Sequence, residues 1–429
     1  MEVCGCGRHH AWRIRISRVR ILLRTASFKV HSLKMQTTHQ PSKWLQPSHI
    51  TSSFTMLIVS WGSAAVIIFQ AANALGASPS QITSWFTILA LLSGLASMAL
   101  SWRYRVPIYI AWSTPGAALI ALTAGIPLNE ALAASMFAGF LAFILGISGL
   151  FAWMVKHIPA NIAAAMLAGI LINFGIGIFT SMQTDALMVL LMLVVYLLSK
   201  QIWPKYSLLL MLAVGAVCAY FTGNMHVEGL HWQWPSLEWV SPVFHWQTLL
   251  SLGVPLFLIT LSTQYIPGVA VLHSHGYQPP VSPIMVSTGL LTTVFAPLGA
   301  FMLNLAAISA AICMGDDVDA DPKQRYKAML VNGVMNFGVV LMGGMVVMLF
   351  GALPKTLLLT LAGIAILSTL MGNLVTAVAD ADTREAALLT LLAAASGIQL
   401  WGISSAFWGL LLGMVVYHLN RYAANRLKA

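Results

Sequence analysis

Charge is what this chain has least of. Only 8% of its 429 residues are Asp, Glu, Lys or Arg, where an ordinary soluble domain carries about 25%. So few charges cannot cover a globule of this length, which excludes soluble enzymes and nucleic-acid binders. Cysteine is also scarce: Cys4, Cys6, Cys218 and Cys313 make no disulfide framework, and the last two sit in apolar runs as small hydrophobes. Cys4 and Cys6 with His9 and His10 do not match structural zinc spacings. No cofactor or metal is implied.

Apolar residues take the place of charge, at 59% of the chain. Apolar stretches of roughly 18 to 25 residues recur from Ile50 to Tyr417, each long enough for a helix to cross a hydrocarbon core. The reading is an all-α polytopic membrane protein of about fourteen spans. They fall near 50–74, 81–102, 107–124, 130–151, 159–180, 184–199, 206–222, 246–266, 281–296, 298–313, 328–351, 356–376, 386–399 and 402–419.

Most of the net charge of +10 belongs to a local arm. Residues 1–34 hold Arg8, Arg13, Arg15, Arg18, Arg20, Arg24, Lys29 and Lys34 against Glu2 alone. The arm reads as a disordered tail or as sequence before a true start at Met35, with 35–49 a cytoplasmic lead. Of the remaining basic residues, Lys43, Arg103, Arg105, Lys156, Lys200, Lys205, Lys323, Arg325, Lys327, Arg384, Arg421, Arg426 and Lys428 fall on one side of the alternating breaks. Lys355 stands alone on the other. By the positive-inside rule both termini are cytoplasmic in an inner membrane, and the tail 421–429 lies there too. The break 223–245, with Trp232, Trp234 and Trp239, becomes a periplasmic connection at the aromatic interface. It separates two seven-span repeats, 50–222 and 246–420. Since seven is odd, the repeats are inverted.

Two spans do not read as clean helices. In the third, Pro107 opens a β-favouring stretch and Pro115 restarts a helix, which suggests extended chain over 107–113 and a half-helix over 115–123. In the tenth, 296–303 reads as extended and 304–313 as a short helix with Asn304 as N-cap. Interrupted segments in both halves of a transporter-like chain point to a binding site. Facing half-helix N-termini supply unpaired amides and positive dipole ends, together a place for an anion. Isolated prolines that merely kink packed helices are the plain alternative.

No Asp, Glu, Lys, Arg or His falls mid-span; Glu130, Asp185, Asp380, His245 and His418 sit at span ends. Polar residues near the broken segments are Gln70, Asn73, Trp112, Ser113, Thr114, Thr263, Gln264, Tyr265, Asn304 and Ser309. Helix-to-helix hydrogen bonding is their ordinary role, and convergence on two broken segments is what raises them. The small residues from Ala163 to Gly169 suit close packing. His273, His275 and the run Asp316, Asp317, Asp319, Asp321 fall in loops, as solvated or gating groups. Intramembrane enzymology would need a nucleophile with a base, or clustered ligands, and the spans offer neither.

At these residues the chain resembles the benzoate transporter family of bacterial inner membranes, over about 45–425. The likeness rests on Ala111-Trp-Ser-Thr-Pro-Gly-Ala-Ala118, Gln264-Tyr-Ile-Pro-Gly-Val-Ala270, Gly276-Tyr-Gln-Pro-Pro-Val-Ser-Pro283, Asn304-Leu-Ala-Ala-Ile-Ser-Ala-Ala-Ile-Cys313 and Ser405-Ala-Phe-Trp-Gly-Leu410. It implies benzoate uptake with a proton, and distant kinship in fold with nucleobase and sulfate transporters. In the nucleobase relatives, carboxylates on spans eight and ten hold the substrate. Here those spans offer Ser262, Thr263, Gln264 and Asn304, which suits an anion. Some members are more polar where this chain has Phe301 and Met302.

The expected site holds a carboxylate between the amides of 114–116 and 304–306, with Thr114, Gly116, Asn304 and Leu305 as contacts. The ring would lie against Trp112, Phe301 or Tyr265. A proton would travel on the substrate's own carboxyl, of pKa about 4, or on Glu130. The expected partners are the aromatic carboxylate, the proton, the lipid bilayer and a second copy of the chain. A carrier of a nucleobase or an inorganic anion is the alternative on the same fold.

Overall fold

The computed structural model describes residues 44–123, 125–153, 159–225 and 234–428. The basic arm with its Cys4, Cys6, His9 and His10, as well as Lys43, Lys156 and Trp232, lies outside the described residues. Helices run α1 Pro47–Ala74, α2 Pro79–Tyr104, α3 Thr114–Ala121, α4 Leu128–Ser148, α5 Ala160–Ile202, α6 Ser207–Phe221 and α7 Trp246–Ser274. They continue with α8 Val281–Phe295, α9 Ala307–Ala310, α10 Tyr326–Ala352, α11 Lys355–Ala365, α12 Leu367–Val378, α13 Arg384–Ala395 and α14 Ser405–Lys428. Two short strands, β1 Ile110–Trp112 and β2 Leu303–Leu305, interrupt the helices.

Among the described residues, seven helices are long and apolar enough to cross a membrane. An eighth crossing forms if α11 and α12, bent by 41° at Ile366, count as one. Large apolar side chains such as Phe179, Leu197, Phe221, Val375 and Leu419 stand exposed, as a lipid-facing surface requires.

Local chemistry explains where these helices start, bend and stop. Ser78 caps α2 in a reciprocal capping box with Gln81, with Pro79 in the first turn, and Arg105 ends it in the left-handed region. The expected spans 159–180 and 184–199 are drawn into the single run α5, but Asp185 breaks its helical geometry (φ −150°, ψ 83°). The Asp185 carboxylate accepts from the Met188 amide at 3.0 Å, capping the second part. In α7 the turns Leu249–Gly253 and Leu261–Tyr265 widen to π geometry. Each wide turn lies just ahead of a proline, Pro255 or Pro267, whose missing N–H removes a helical bond. This lets α7 run to Ser274, past the boundary near 266 expected from hydropathy.

Helices from the two halves of the chain interleave. α2 packs along α10, α4 along α8, and α1 against α3 and α10. A second group forms as α5 gathers α6, α11, α12 and α13, with α14 on α13. The Ala163 to Gly169 stretch serves this packing: a Cβ at Gly169 would sit 2.4 Å from the Leu391 carbonyl oxygen of α13.

Candidate functional site: two broken segments joined as a strand pair

β1 and β2 pair antiparallel, setting Ile110 opposite Leu305, Ala111 opposite Asn304 and Trp112 opposite Leu303. The ladder continues at both ends. The Ser113 amide donates to the Met302 carbonyl at 3.0 Å, and the Ala306 amide to the Tyr109 carbonyl at 2.9 Å. A two-stranded sheet leaves two outer edges, and every open backbone group inside a bilayer must find a partner.

Hydroxyls on neighbouring helices supply those partners. Ser93, Ser97 and Ser101 stand one turn apart on α2. Ser93 Oγ donates to the Ile110 carbonyl at 2.5 Å, and Ser97 Oγ accepts from the Ile110 amide at 2.8 Å. Ser101 Oγ both donates to the Ile108 carbonyl (2.9 Å) and accepts from the Ile108 amide (3.0 Å). The other edge is served from α8 and α7. Thr292 Oγ1 accepts from the Leu303 amide at 2.9 Å, and the Tyr265 hydroxyl donates to the Leu303 carbonyl at 3.2 Å while meeting Thr288 Oγ1 at 2.6 Å. These positions were visible as serines at 93, 97 and 101 and threonines at 288 and 292. Their four-residue spacing within apolar helices was the overlooked signal.

The two half-helices begin beside the strands. Ser113 caps α3: its Oγ accepts from the Gly116 amide at 3.0 Å and from Thr260 Oγ1 of α7 at 2.9 Å. Thr114 follows in the first turn and is half-buried. The second half-helix departs from expectation. Residues 303–305 are strand, so Asn304 is not an N-cap; α9 starts at Ala307 with Ala306 at its cap and no side chain in that role. The segment 296–303 is also not uniformly extended, since Ala296–Leu298 forms a 3-10 turn and Gly299 turns left-handed (φ 99°). Pairing with β1 takes residues 303–305 out of helical geometry, a long-range effect that propensity does not report.

Asn304 is fully buried. Its Nδ2 donates to the Met302 carbonyl at 3.0 Å, and its Oδ1 has no partner among the described residues. Two of the amides expected to face an anion are used by the protein: Gly116 N–H by Ser113, and Ala306 N–H by Tyr109.

The aromatic positions are buried within ring contacts. Trp112 lies 4.2 Å from Trp61 of α1 between centroids, and Phe301 lies 5.5 Å from Trp85 of α2. Leu305 packs on α7, where a Cβ at Gly268 would meet its Cγ at 2.7 Å. Thr263 returns its hydroxyl to the Ile259 carbonyl at 2.7 Å, and half-buried Gln264 sits beside it on the π turn. Gln70 donates to the Leu358 carbonyl at 2.8 Å, joining α1 to α11 away from the strand pair. Glu130 accepts from Thr248 Oγ1 at 2.6 Å, joining α4 to the first turn of α7. The structure thus gathers Trp112, Ser113, Thr114, Gly116, Tyr265, Asn304 and Leu305 about the strand pair, and leaves Gln70 and Glu130 at helix-to-helix bonds.

The acidic loop after α9 is not uniformly solvated. Asp319 is buried, and its Oδ2 lies 3.1 Å from Nε2 of His49, itself buried in the first turn of α1. Asp316 pairs with Arg325. The Tyr277 hydroxyl donates to the Pro322 carbonyl at 2.9 Å; burial holds this hydroxyl above its ordinary pKa, with Arg325 opposing. Nothing in the apolar patterning marked His49, because it precedes the hydrophobic run.

A model of the family described as "Benzoate membrane transport protein" matches residues 43–419. The chain belongs to this family. It is 38% identical over 383 residues to the inner membrane protein YdcO of Escherichia coli (strain K12), covering 89% of this chain and 98% of that protein. It is 36% identical over 369 residues to the benzoate membrane transport protein of Acinetobacter baylyi, covering 86% and 94%. Two solved structures share the fold at low identity. The transmembrane domain of a cyanobacterial bicarbonate transporter, BicA, aligns at TM-score 0.53 and 14% identity, covering 85% of this chain and 96% of that one. The murine anion transporter Slc26a9, inward-facing, aligns at TM-score 0.60 and 11% identity, covering 99% and 74%. The benzoate transport family therefore extends over nearly all of the described helices, and this chain shares a fold with the two anion transporters.

Proposed function

We propose that this protein imports benzoate, or a close aromatic carboxylate, with a proton, as a secondary transporter of two inverted seven-span repeats. Both termini face the cytoplasm in this reading, as the basic residues at alternate breaks require. Membership of the family and the name of the Acinetobacter relative support the substrate class. Support for the inverted repeats comes from matched devices. Serines of α2 serve β1 as threonines of α8 serve β2, and Pro159 and Pro354 precede α5 and α11 in equivalent roles.

The observation that carries the reading is the β1–β2 pairing. It brings the start of α3 and the approach to α9 together around a buried Asn304 whose Oδ1 has no protein partner. A carboxylate there would meet the positive end of α3 with no fixed carboxylate to repel it, and Asn304 would hold it through Nδ2, turned from the Met302 carbonyl, since Oδ1 only accepts. The ring would take the apolar wall of Trp112, Phe301 or Tyr265. A proton carried with the anion lets a neutral unit cross.

Uptake of labelled benzoate into proteoliposomes under an inward proton gradient tests this. Accumulation that unlabelled benzoate suppresses, and that uracil and sulfate do not, is the expected result. Flux that never exceeds equilibrium, or suppression by sulfate or uracil alone, overturns it.

A further inference from the structure

A buried ladder of hydrogen bonds runs from the His49 carbonyl to Trp61, whose ring touches the strand pair. Ser53, one turn along α1, donates its hydroxyl to the His49 carbonyl at 2.5 Å and also meets the Ala328 carbonyl of α10 at 2.6 Å. Asn332 Nδ2 donates to the Ser53 carbonyl at 3.3 Å, and Asn336 Nδ2 to Asn332 Oδ1 at 2.9 Å. Trp61 Nε1 donates to Asn336 Oδ1 at 3.2 Å, and the Trp61 ring rests on Trp112 of β1. Positions 49, 53 and 61 on α1 face 328, 332 and 336 on α10, so the ladder follows one face of each helix.

At its far end this ladder meets the loop that continues the second broken segment. Ser48 Oγ donates to the Val318 carbonyl at 2.7 Å, and His49 Nε2 faces Asp319 Oδ2. The charged and titratable groups around His49 come from each neighbouring element. Asp319 and the Asp316–Arg325 pair belong to the loop, and Lys327 to the first turn of α10, with both Arg325 and Lys327 buried. Cys313 lies on Met56 of α1, and Tyr277 reaches the loop at Pro322.

Asp319 and Lys327, both buried and opposite in sign, both act on the His49 ring. Protonated His49 adds one positive charge that Asp319 is placed to hold, and buried charge is costly unless held in this way.

We propose that His49, paired with Asp319, is the group that takes up the transported proton, and that its protonation clasps the loop following α9 to α1. This deepens the proposed function and rests on it for the identity of the anion. The ladder through Asn332, Asn336 and Trp61 relays the state of the clasp to β1. The co-transported anion at the strand pair balances the added charge, so the doubly occupied carrier crosses without net charge.

The full chain in proteoliposomes separates the proton from the substrate. Counterflow exchange of labelled benzoate at equal pH on both sides needs no proton cycle, whereas accumulation under an inward pH gradient does. In His49→Gln and Asp319→Asn, accumulation falls at least tenfold, exchange persists, and the pH dependence of exchange flattens. The exposed His273→Gln control leaves both assays as in the unaltered protein. Accumulation and a pH profile in His49→Gln that match the unaltered protein overturn the proposal. So does loss of both assays in a His49→Gln protein that still unfolds cooperatively on heating, since that marks a structural role, and so does loss of coupling in Glu130→Gln alone.

If the unaltered protein exchanges no benzoate, the substrate reading fails and the clasp is judged by unfolding temperature. A pH-dependent shift in unfolding temperature that is absent from His49→Gln sustains the clasp, and identical curves overturn it.

Discussion

The backbone amide of Ser113 donates to the carbonyl of Met302, joining the two broken segments of the chain at the point where α3 begins. Met302 holds a positive φ of 23°, a conformation that costs a non-glycine residue energy and persists only where surroundings enforce it. Its carbonyl also receives Asn304 Nδ2. One carbonyl therefore fixes both the cap residue of α3 and the side chain of Asn304.

Asn304 sets the charge at this junction, so its replacement separates an anion site from a neutral one. Asn304→Asp keeps the shape and introduces a buried carboxylate that repels benzoate. Uptake is expected to fall by more than tenfold, the equivalent of about 1.4 kcal/mol. Equal uptake of labelled benzoate by Asn304→Asp and the unaltered protein would place the carboxylate elsewhere.

The hydroxyls at the strand edges carry stability. Ser97→Ala leaves the Ile110 amide, and Thr292→Val the Leu303 amide, without the partners found here. Each is expected to cost about 1–3 kcal/mol, the penalty of an unsatisfied buried donor. Lowered thermal unfolding temperatures in detergent, with recovery in Thr292→Ser, are the expected readings.

Gly299 has two reasons to be glycine. Its φ is 99°, and a Cβ there would lie 1.9 Å from Cδ1 of Trp85. Gly299→Ala pushes Trp85 off Phe301 and strains the turn into β2, at a cost of about 2–4 kcal/mol. Loss of monodisperse protein on size exclusion, or a marked drop in unfolding temperature, checks this. Gly276→Ala is the comparison, because it shares a positive φ but has open space around it.

Thr260 reaches the site through the Ser113 hydroxyl. Thr260→Val removes the hydroxyl that donates to Ser113 Oγ while leaving the Gly116 cap in place. Transport is expected to show a KM raised several-fold with kcat nearly unchanged, and Ser113→Ala a larger loss together with about 1 kcal/mol of stability from the missing cap. Concentration-dependent uptake rates distinguish the two.

How much of this could be read in advance differs from residue to residue. Pro115 with Ser113 before it was a local signal for a helix start, and α3 begins there because a cap and a first-turn proline act over three residues. Asn304 carried the same kind of signal and is strand instead, because β1 is available to pair with it. Asp319 sat among four acids in a loop and reads as solvated until α1 places His49 against it. The serines of α2 were plain to see, yet their acceptors are fixed only when the extended chain at 108–110 folds back along the helix.

The sequence by itself determined that this chain lives in lipid, that it is built of long apolar helices, and where proline and small residues interrupt them. Those properties come from hydropathy and backbone chemistry, which act over a few residues at a time. Only the tertiary structure decided that the two interruptions become one strand pair, which hydroxyls close its edges, and that a histidine and an aspartate meet beneath it. Each of those depends on partners brought together from opposite halves of the chain, and no local rule specifies them.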